Sequence, residues 1–233
     1  ITEMKPEDNT GDALTGGYLI EIDAYASKEK CYFWSKKGIP VTIKSPDDEK
    51  ITAQQKKYIE EYFNNVLNKV FSDHFIHEDW GYYPHFDIDS FLKHFIIGEL
   101  SGNTDTYWSV YMYKERGDQK LYTGPVWDFD IAFDNDKRTH NELNNPSGFL
   151  YSSGTASFAG GDNMQQFVTR IVRMDPVAKA RLKEMWNDLR DSGVITPESL
   201  VQYVNDTEQY LDQSQKLNFT RWNNLNFNVN MNY

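Results

Sequence analysis

Apolar and polar residues alternate with a period of two near the start of the chain, and further on the period lengthens to that of a helix. Gly16-Gly17 leads into Tyr18-Leu19-Ile20-Glu21-Ile22-Asp23, where Tyr18, Ile20 and Ile22 share one side and Leu19, Glu21 and Asp23 the other. That is the pattern of a strand buried on one face. A second strand is expected over 31–35. Lys36-Lys37-Gly38 then turns the chain into a third strand over 41–44, which Ser45-Pro46 stops. These three strands read as a small antiparallel meander.

Beyond them the pattern is helical. Ile59, Tyr62, Phe63, Val66, Leu67 and Val70 recur at spacings of three and four, one face of an amphipathic helix, and Thr52 can cap its start. A loop over 74–86, rich in histidine and aromatics, leads to a second helix capped by Asp87 or Asp89. Its inward residues are Ile88, Phe91, Leu92, Phe95 and Ile96, and Ser101-Gly102-Asn103 ends it. Two more strands, about 107–114 and 121–129, are joined by the turn Glu115-Arg116-Gly117-Asp118. A long loop through Asn144-Asn145-Pro146-Ser147-Gly148 and Gly160-Gly161 precedes helices over 164–173, 176–190 and 197–217. Pro176 and Pro197 suit the first turns of the last two. The class is α+β, with antiparallel strands in the first part and helices in the second.

Composition narrows the partners. The 233 residues are 39% hydrophobic and 25% charged, which suits a large folded domain. Lys plus Arg number 24 against 35 Asp plus Glu, a net charge of −11. That balance argues against a general nucleic-acid binder and against a surface drawn to anionic lipid. No apolar run approaches the roughly 20 residues of a membrane span. One cysteine, Cys31, excludes an internal disulfide and a cysteine zinc site; within Cys-Tyr-Phe-Trp it reads as a small buried hydrophobe. Residues 1–13 form a polar leader unlike a signal peptide, and 218–233 an Asn-rich tail. Because the chain opens on Ile1 rather than Met, it is expected to be a piece of a larger multidomain parent. Its Asn, Tyr and Trp content points towards an exported bacterial surface protein.

The chemistry concentrates around Gly102-Asn103-Thr104-Asp105 and Trp127-Asp128-Phe129-Asp130. On a strand, Asp128 and Asp130 would point to one side, with Trp127 and Phe129 on the other. Acids so flanked are costly to bury unless they hold a cation or accept several hydrogen bonds, and both readings stand. A hairpin would fold its outer ends together and make Asp105 and Asp128 neighbours, the geometry of metal-assisted phosphoryl transfer. Asp105 alone also reads as an ordinary turn residue.

Other clusters are weaker. Asp134 and Asp136 lie next to Lys137 and Arg138, and no glycine stands at the sixth position of a calcium loop. His74, His77 and His85 match no zinc spacing. Trp80, Tyr82 and Tyr83 read as an aromatic cluster beneath a long loop. Glu99 reads as a solvated helix acid or a partner of the Asp105 turn. Glu21 and Asp23 face either a cleft or solvent. Lys44 either reaches a phosphate or blunts a sheet edge. There is no Gly-x-Ser-x-Gly elbow.

The stretch from Gly102-Asn103-Thr104-Asp105 through Tyr111-Met112-Tyr113 to Gly124-Pro125-Val126-Trp127-Asp128-Phe129-Asp130 closely resembles the spore-coat protein H (CotH-like) atypical kinase family. So do residues 16–23 and Lys44-Ser45-Pro46, and the resemblance covers roughly 14–215, with the domain expected over 14–217. It implies a divergent protein-kinase-like fold that moves the γ-phosphate of ATP to serine of a protein substrate, with Mg²⁺ or Mn²⁺. On this resemblance Asp105 is the catalytic base, Asp128 holds the metal, and Asp130 and Asn103 support the site. Many members carry Asn just after the base, whereas this chain reads Trp108-Ser109-Val110, so Ser109 would take that part. The family's nucleotide-covering loop and phosphate-binding lysine are expected upstream of the Tyr18 strand. No Gly-x-Gly-x-x-Gly or Gly-x-x-x-x-Gly-Lys occurs. This chain alone is therefore expected to bind a divalent cation weakly rather than turn over ATP.

Overall fold

The computed structural model describes residues 1–133, 135, 148–152 and 160–224. Among them the strands are β1 (Tyr18–Ile22), β2 (Tyr32–Trp34), β3 (Pro40–Ser45), β4 (Val110–Lys114) and β5 (Tyr122–Thr123). The helices are α1 (Ala53–Val70), α2 (Ile88–Ser101), α3 (Gly161–Thr169), α4 (Pro176–Asp191) and α5 (Pro197–Arg221). Arg170–Met174, directly after α3, is a π-helical turn. The α+β class holds. Asp134 and Asp136, weighed above for calcium, lie outside the described residues, as does Asn144-Asn145-Pro146-Ser147.

The strands form one antiparallel sheet in the order β2-β3-β1-β4-β5. This corrects the meander. β1 pairs with β3 and β4 rather than β2, because the short 3-10 turn Ala26–Lys28 carries the chain past a neighbouring position. The tight link from β2 to β3 uses Gly38 at φ 69, and Ile39 N–H is held by the Ser35 hydroxyl. β1 is thus the central strand. Tyr18, Ile20, Ile22, Val41, Ile43, Val110 and Met112 are all buried, forming the sheet side of the core.

The helices begin where their caps allow. Thr52 accepts from Gln55 N–H while the Gln55 side chain returns the bond, a capping box. Asp87 caps α2 by accepting from Ser90 N–H, and Gly102 ends it in the left-handed region at φ 66. The predicted stripe of α1 is buried at Ile59, Phe63, Val66, Leu67 and Val70. Gln55 is buried too, because its amide donates to the carbonyls of Lys5 and Asp8 and ties down the chain start. α5 runs to Arg221, four residues beyond its expected end.

The second hairpin is shorter than expected. Its strands are Val110–Lys114 and Tyr122–Thr123, not 107–114 and 121–129. Ser109 at φ 57 bends the chain away before β4. After Gly124, whose N–H still reaches Tyr111 O at 2.7 Å, Pro125 has no N–H to continue the ladder. Asp128 and Asp130 consequently lie on a loop rather than on a strand face.

By its internal contacts the chain divides into two compact units, 1–180 and 181–233. The candidate chemistry lies in the first. The second holds the rest of α4 and α5, and α5 has no buried residue. Among the described residues no helix is long and apolar enough to cross a membrane.

Candidate functional site

The turn after α2 is built on Asn103, which is 3% exposed. Its N–H bonds Gly98 O at 3.2 Å, and its side-chain oxygen accepts Asp105 N–H at 3.0 Å, an Asx turn. Its carbonyl accepts both the N–H and the hydroxyl of Thr106, at 3.0 and 2.5 Å. Asp105 O accepts Trp108 N–H at 3.0 Å. The Asp105 carboxyl thus rides on a closed turn and is half-buried. The turn sits against α2 so closely that a Cβ at Gly98 would fall 2.1 Å from Thr106 Cγ2.

A second segment lies across this turn. The Trp127 indole stacks on Tyr111 at 4.9 Å between ring centres and donates its N–H to Ser109 O at 2.7 Å. Phe133 N–H bonds Ser101 O at 2.6 Å. The acid-bearing loop is therefore anchored at Trp127 to one end of the 101–109 segment and at Phe133 to the other. Between those anchors, Ile131 and Ala132 are buried and Asp128 and Asp130 are exposed. Among the described residues the non-glycine positions with positive φ are Ser109, Asp128 and Phe133, all in these two segments. Left-handed backbone at a non-glycine residue is held against its preference by the surrounding structure and concentrates at functional sites.

Asp128 and Asp130 come together through the bend at Asp128, not through strand alternation. The Asp128 carboxyl is raised above its ordinary value by desolvation, then by the charge of Asp130 and by a hydrogen bond between the two carboxyls. Two neighbouring carboxyl groups offer hard oxygen ligands to a dication. They fit Mg²⁺ or Mn²⁺ as a partial shell, with phosphate and water completing it. Among the described residues no group of three or more His, Cys, Asp or Glu is arranged to hold a metal ion. Ser109 contributes its carbonyl, to Trp127, and its φ of 57 to the turn.

Glu21, Glu99 and Lys44 hold places in the structure that their sequence positions do not announce. Glu21 is 4% exposed and bonds the Lys44 ammonium at 3.0 Å, while Glu29 stands 3.5 Å from the same nitrogen. β3 lies between β2 and β1, so Lys44 is not on an edge strand. Glu21 lies opposite Tyr111 in the β1–β4 register, so the pair sits next to the Tyr111–Trp127 stack. Burial pushes the Lys44 ammonium down, but the Glu21 hydrogen bond and the charges of Glu21 and Glu29 together hold it above its ordinary value. The clue was Glu21 standing between Ile20 and Ile22 in the strand that became central.

Glu99 is likewise not solvated. It accepts Tyr107 OH at 2.5 Å, Leu150 N–H at 2.7 Å and Tyr151 N–H at 3.1 Å, and burial raises its carboxyl. It binds the Asp105 side of the site to the 150–152 turn. Tyr82 belongs to the core and Tyr83 is half-buried against it, while Trp80 is exposed and stacked on His77. Cys31 is buried, and burial pushes its thiol up.

The Glu21 environment gives a pH prediction. Burial raises its folded carboxyl above 4.5 despite Lys44. A raised carboxyl contributes its full stability below the unfolded value and loses it as pH climbs through the folded value. Glu21→Gln should therefore gain in urea midpoint relative to wild type as pH rises through and above the ordinary glutamate range. A difference that does not vary with pH would contradict this.

Fold and site together define an α+β domain in which an acid-bearing loop is pinned across the turn after α2, beside a pair formed by buried Glu21 and half-buried Lys44. The chain belongs to the CotH kinase family, whose model, described as CotH kinase protein, matches residues 4–233, and it is a kinase-like domain. No curated protein and no solved structure matches the chain.

Proposed function

We propose that this domain transfers the γ-phosphate of ATP to an accessible serine of a protein substrate, in the company of Mg²⁺ or Mn²⁺. The observation that carries the reading is the double anchoring of the loop, at Trp127 on Ser109 and at Phe133 on Ser101, which holds Asp128 and Asp130 across the Asp105 turn. Asp105 accepts the proton of the serine hydroxyl as its oxygen bonds to the γ-phosphorus and ADP departs. Asp128, with Asp130 beside it, is the carboxylate that would hold the dication. A bound dication would neutralise charge on the phosphate oxygens. Asn103 frames the turn and Ser109 anchors the loop.

Lys44, rather than a residue upstream of Tyr18, is the cation assigned here to the phosphates. A lysine paired with a glutamate beside the sheet is the arrangement kinases use for that task, and Glu21 supplies the partner. This assignment supports turnover by the chain itself rather than cation binding alone.

Calorimetry with ATP and Mn²⁺ tests it. Wild type should bind the nucleotide, and Lys44→Met should weaken binding at least about tenfold through loss of a charge-assisted contact. Equal affinity in both proteins would remove Lys44 from the site. Binding to soluble glycans without nucleotide binding would instead mark a non-catalytic contact module at a cell surface.

A further inference from the structure

His94 lies on α2, 7% exposed, one helical turn before Gly98 and on the same face. Its Nε2 stands 2.7 Å from the carbonyl oxygen of Thr106. A carbonyl only accepts, so Nε2 carries the proton. Nδ1 is buried and has no hydrogen-bond partner among the described residues. Burial holds the imidazole below its ordinary value and outweighs the Thr106 bond, which keeps the ring neutral with its single proton on Nε2. The same Thr106 presses its side chain into the notch left by Gly98 and donates its hydroxyl and N–H to Asn103. Successive turns of α2 therefore seat one residue of the Asp105 turn, Gly98 by shape and His94 by a directed bond. A packing histidine would need no such aim. Leu or Phe would fill the space without a buried unpaired nitrogen, whose desolvation is costly.

We propose that His94 is a positioning residue that sets the height of the Asp105 turn on α2 and thereby the alignment of the carboxylate that takes the serine proton. The proposal rests on the transfer reading above. It assigns His94 no contact with ATP or serine.

The test uses the full chain with ATP, Mn²⁺ and a serine-containing protein substrate. His94→Phe should lower kcat about a hundredfold, the cost of displacing a catalytic group by about 1 Å. KM for ATP should stay within about twofold, because Lys44 and Asp128 are untouched. His94→Gln, whose amide nitrogen reaches where Nε2 stands, should recover at least about tenfold of the lost kcat. An unchanged kcat in His94→Phe, a rise confined to KM, or equal loss in both variants would overturn the proposal.

If wild type transfers no phosphate, the transfer reading fails and amide exchange decides the role of His94. The Thr106 and Trp108 amides should exchange faster in His94→Phe and recover in His94→Gln, while β4 amides keep their rates; no change at Thr106 and Trp108 would overturn it. Should the Phe variant not fold, imidazole ¹⁵N shifts of wild type serve instead. A proton on Nε2 supports the bond to Thr106, and a proton on Nδ1 would contradict it.

Discussion

Asp128→Asn and Asp105→Asn should each lower phosphoryl transfer to serine by about a thousandfold or more, since positioning and charge stabilisation are nearly all that this chemistry asks of a protein. Asparagine tolerates the left-handed backbone that Asp128 adopts at φ 57, so its substitution removes a charge and leaves the bend. At Asp105 the hydrogen bond to Asn103 uses the backbone N–H, not the side chain, and the turn should survive as well. Asp130→Asn should cost less, because it leaves the Asp128 carboxyl in place and takes away its acidic neighbour. Incorporation of label from γ-labelled ATP measures all three. Wild-type rates in both Asp128→Asn and Asp105→Asn would sink the assignment of roles.

What was legible in the sequence was local. Thr52, Asp87, Gly102, Pro176 and Pro197 marked helix boundaries through hydrogen bonds and φ values that act within four residues. The alternation in 18–22 gave the buried face of β1. What was not legible depends on partners far along the chain. β1 became central only by pairing with β4, about ninety residues later, and that pairing put Glu21 inside. The 124–133 segment carries strand-like alternation, yet Pro125 breaks the ladder and the anchors at Ser109 and Ser101 set its course. The acids at 105 and 128 were therefore named from resemblance and an assumed hairpin, whereas the structure relates their segments by an indole bond and a backbone bond. His94 was missed although it shares a helical face with Phe91, Phe95 and Gly98, because periodicity does not say which inward polar residue has work to do.

Asp175→Ala should be the most damaging substitution for stability away from the candidate site. Asp175 is fully buried, at 0% exposure. One oxygen accepts Tyr82 OH at 2.5 Å and Tyr83 OH at 2.8 Å; the other accepts Val177 N–H at 2.8 Å and Ala178 N–H at 3.2 Å, capping α4. Alanine removes a helix cap worth about 1 kcal/mol. It also leaves two phenols without their acceptor, at roughly 1–3 kcal/mol for each that stays buried. A total loss of about 3–5 kcal/mol is expected in urea denaturation. Asp175→Asn keeps one acceptor oxygen for the cap and should lose less. A midpoint for Asp175→Ala equal to that of wild type would contradict the role given to this network.

The central claim is that the loop carrying Asp128 and Asp130 and the turn carrying Asp105 form one cation-dependent site. A Mn²⁺ titration of the full chain followed by amide NMR tests it most directly. The expected result is broadening centred on Asp105 and on residues 127–130, spreading to the neighbouring Ser109 and lost in Asp128→Asn. Broadening confined to the 74–85 histidine loop, with Asp105 and 127–130 unaffected, would contradict it.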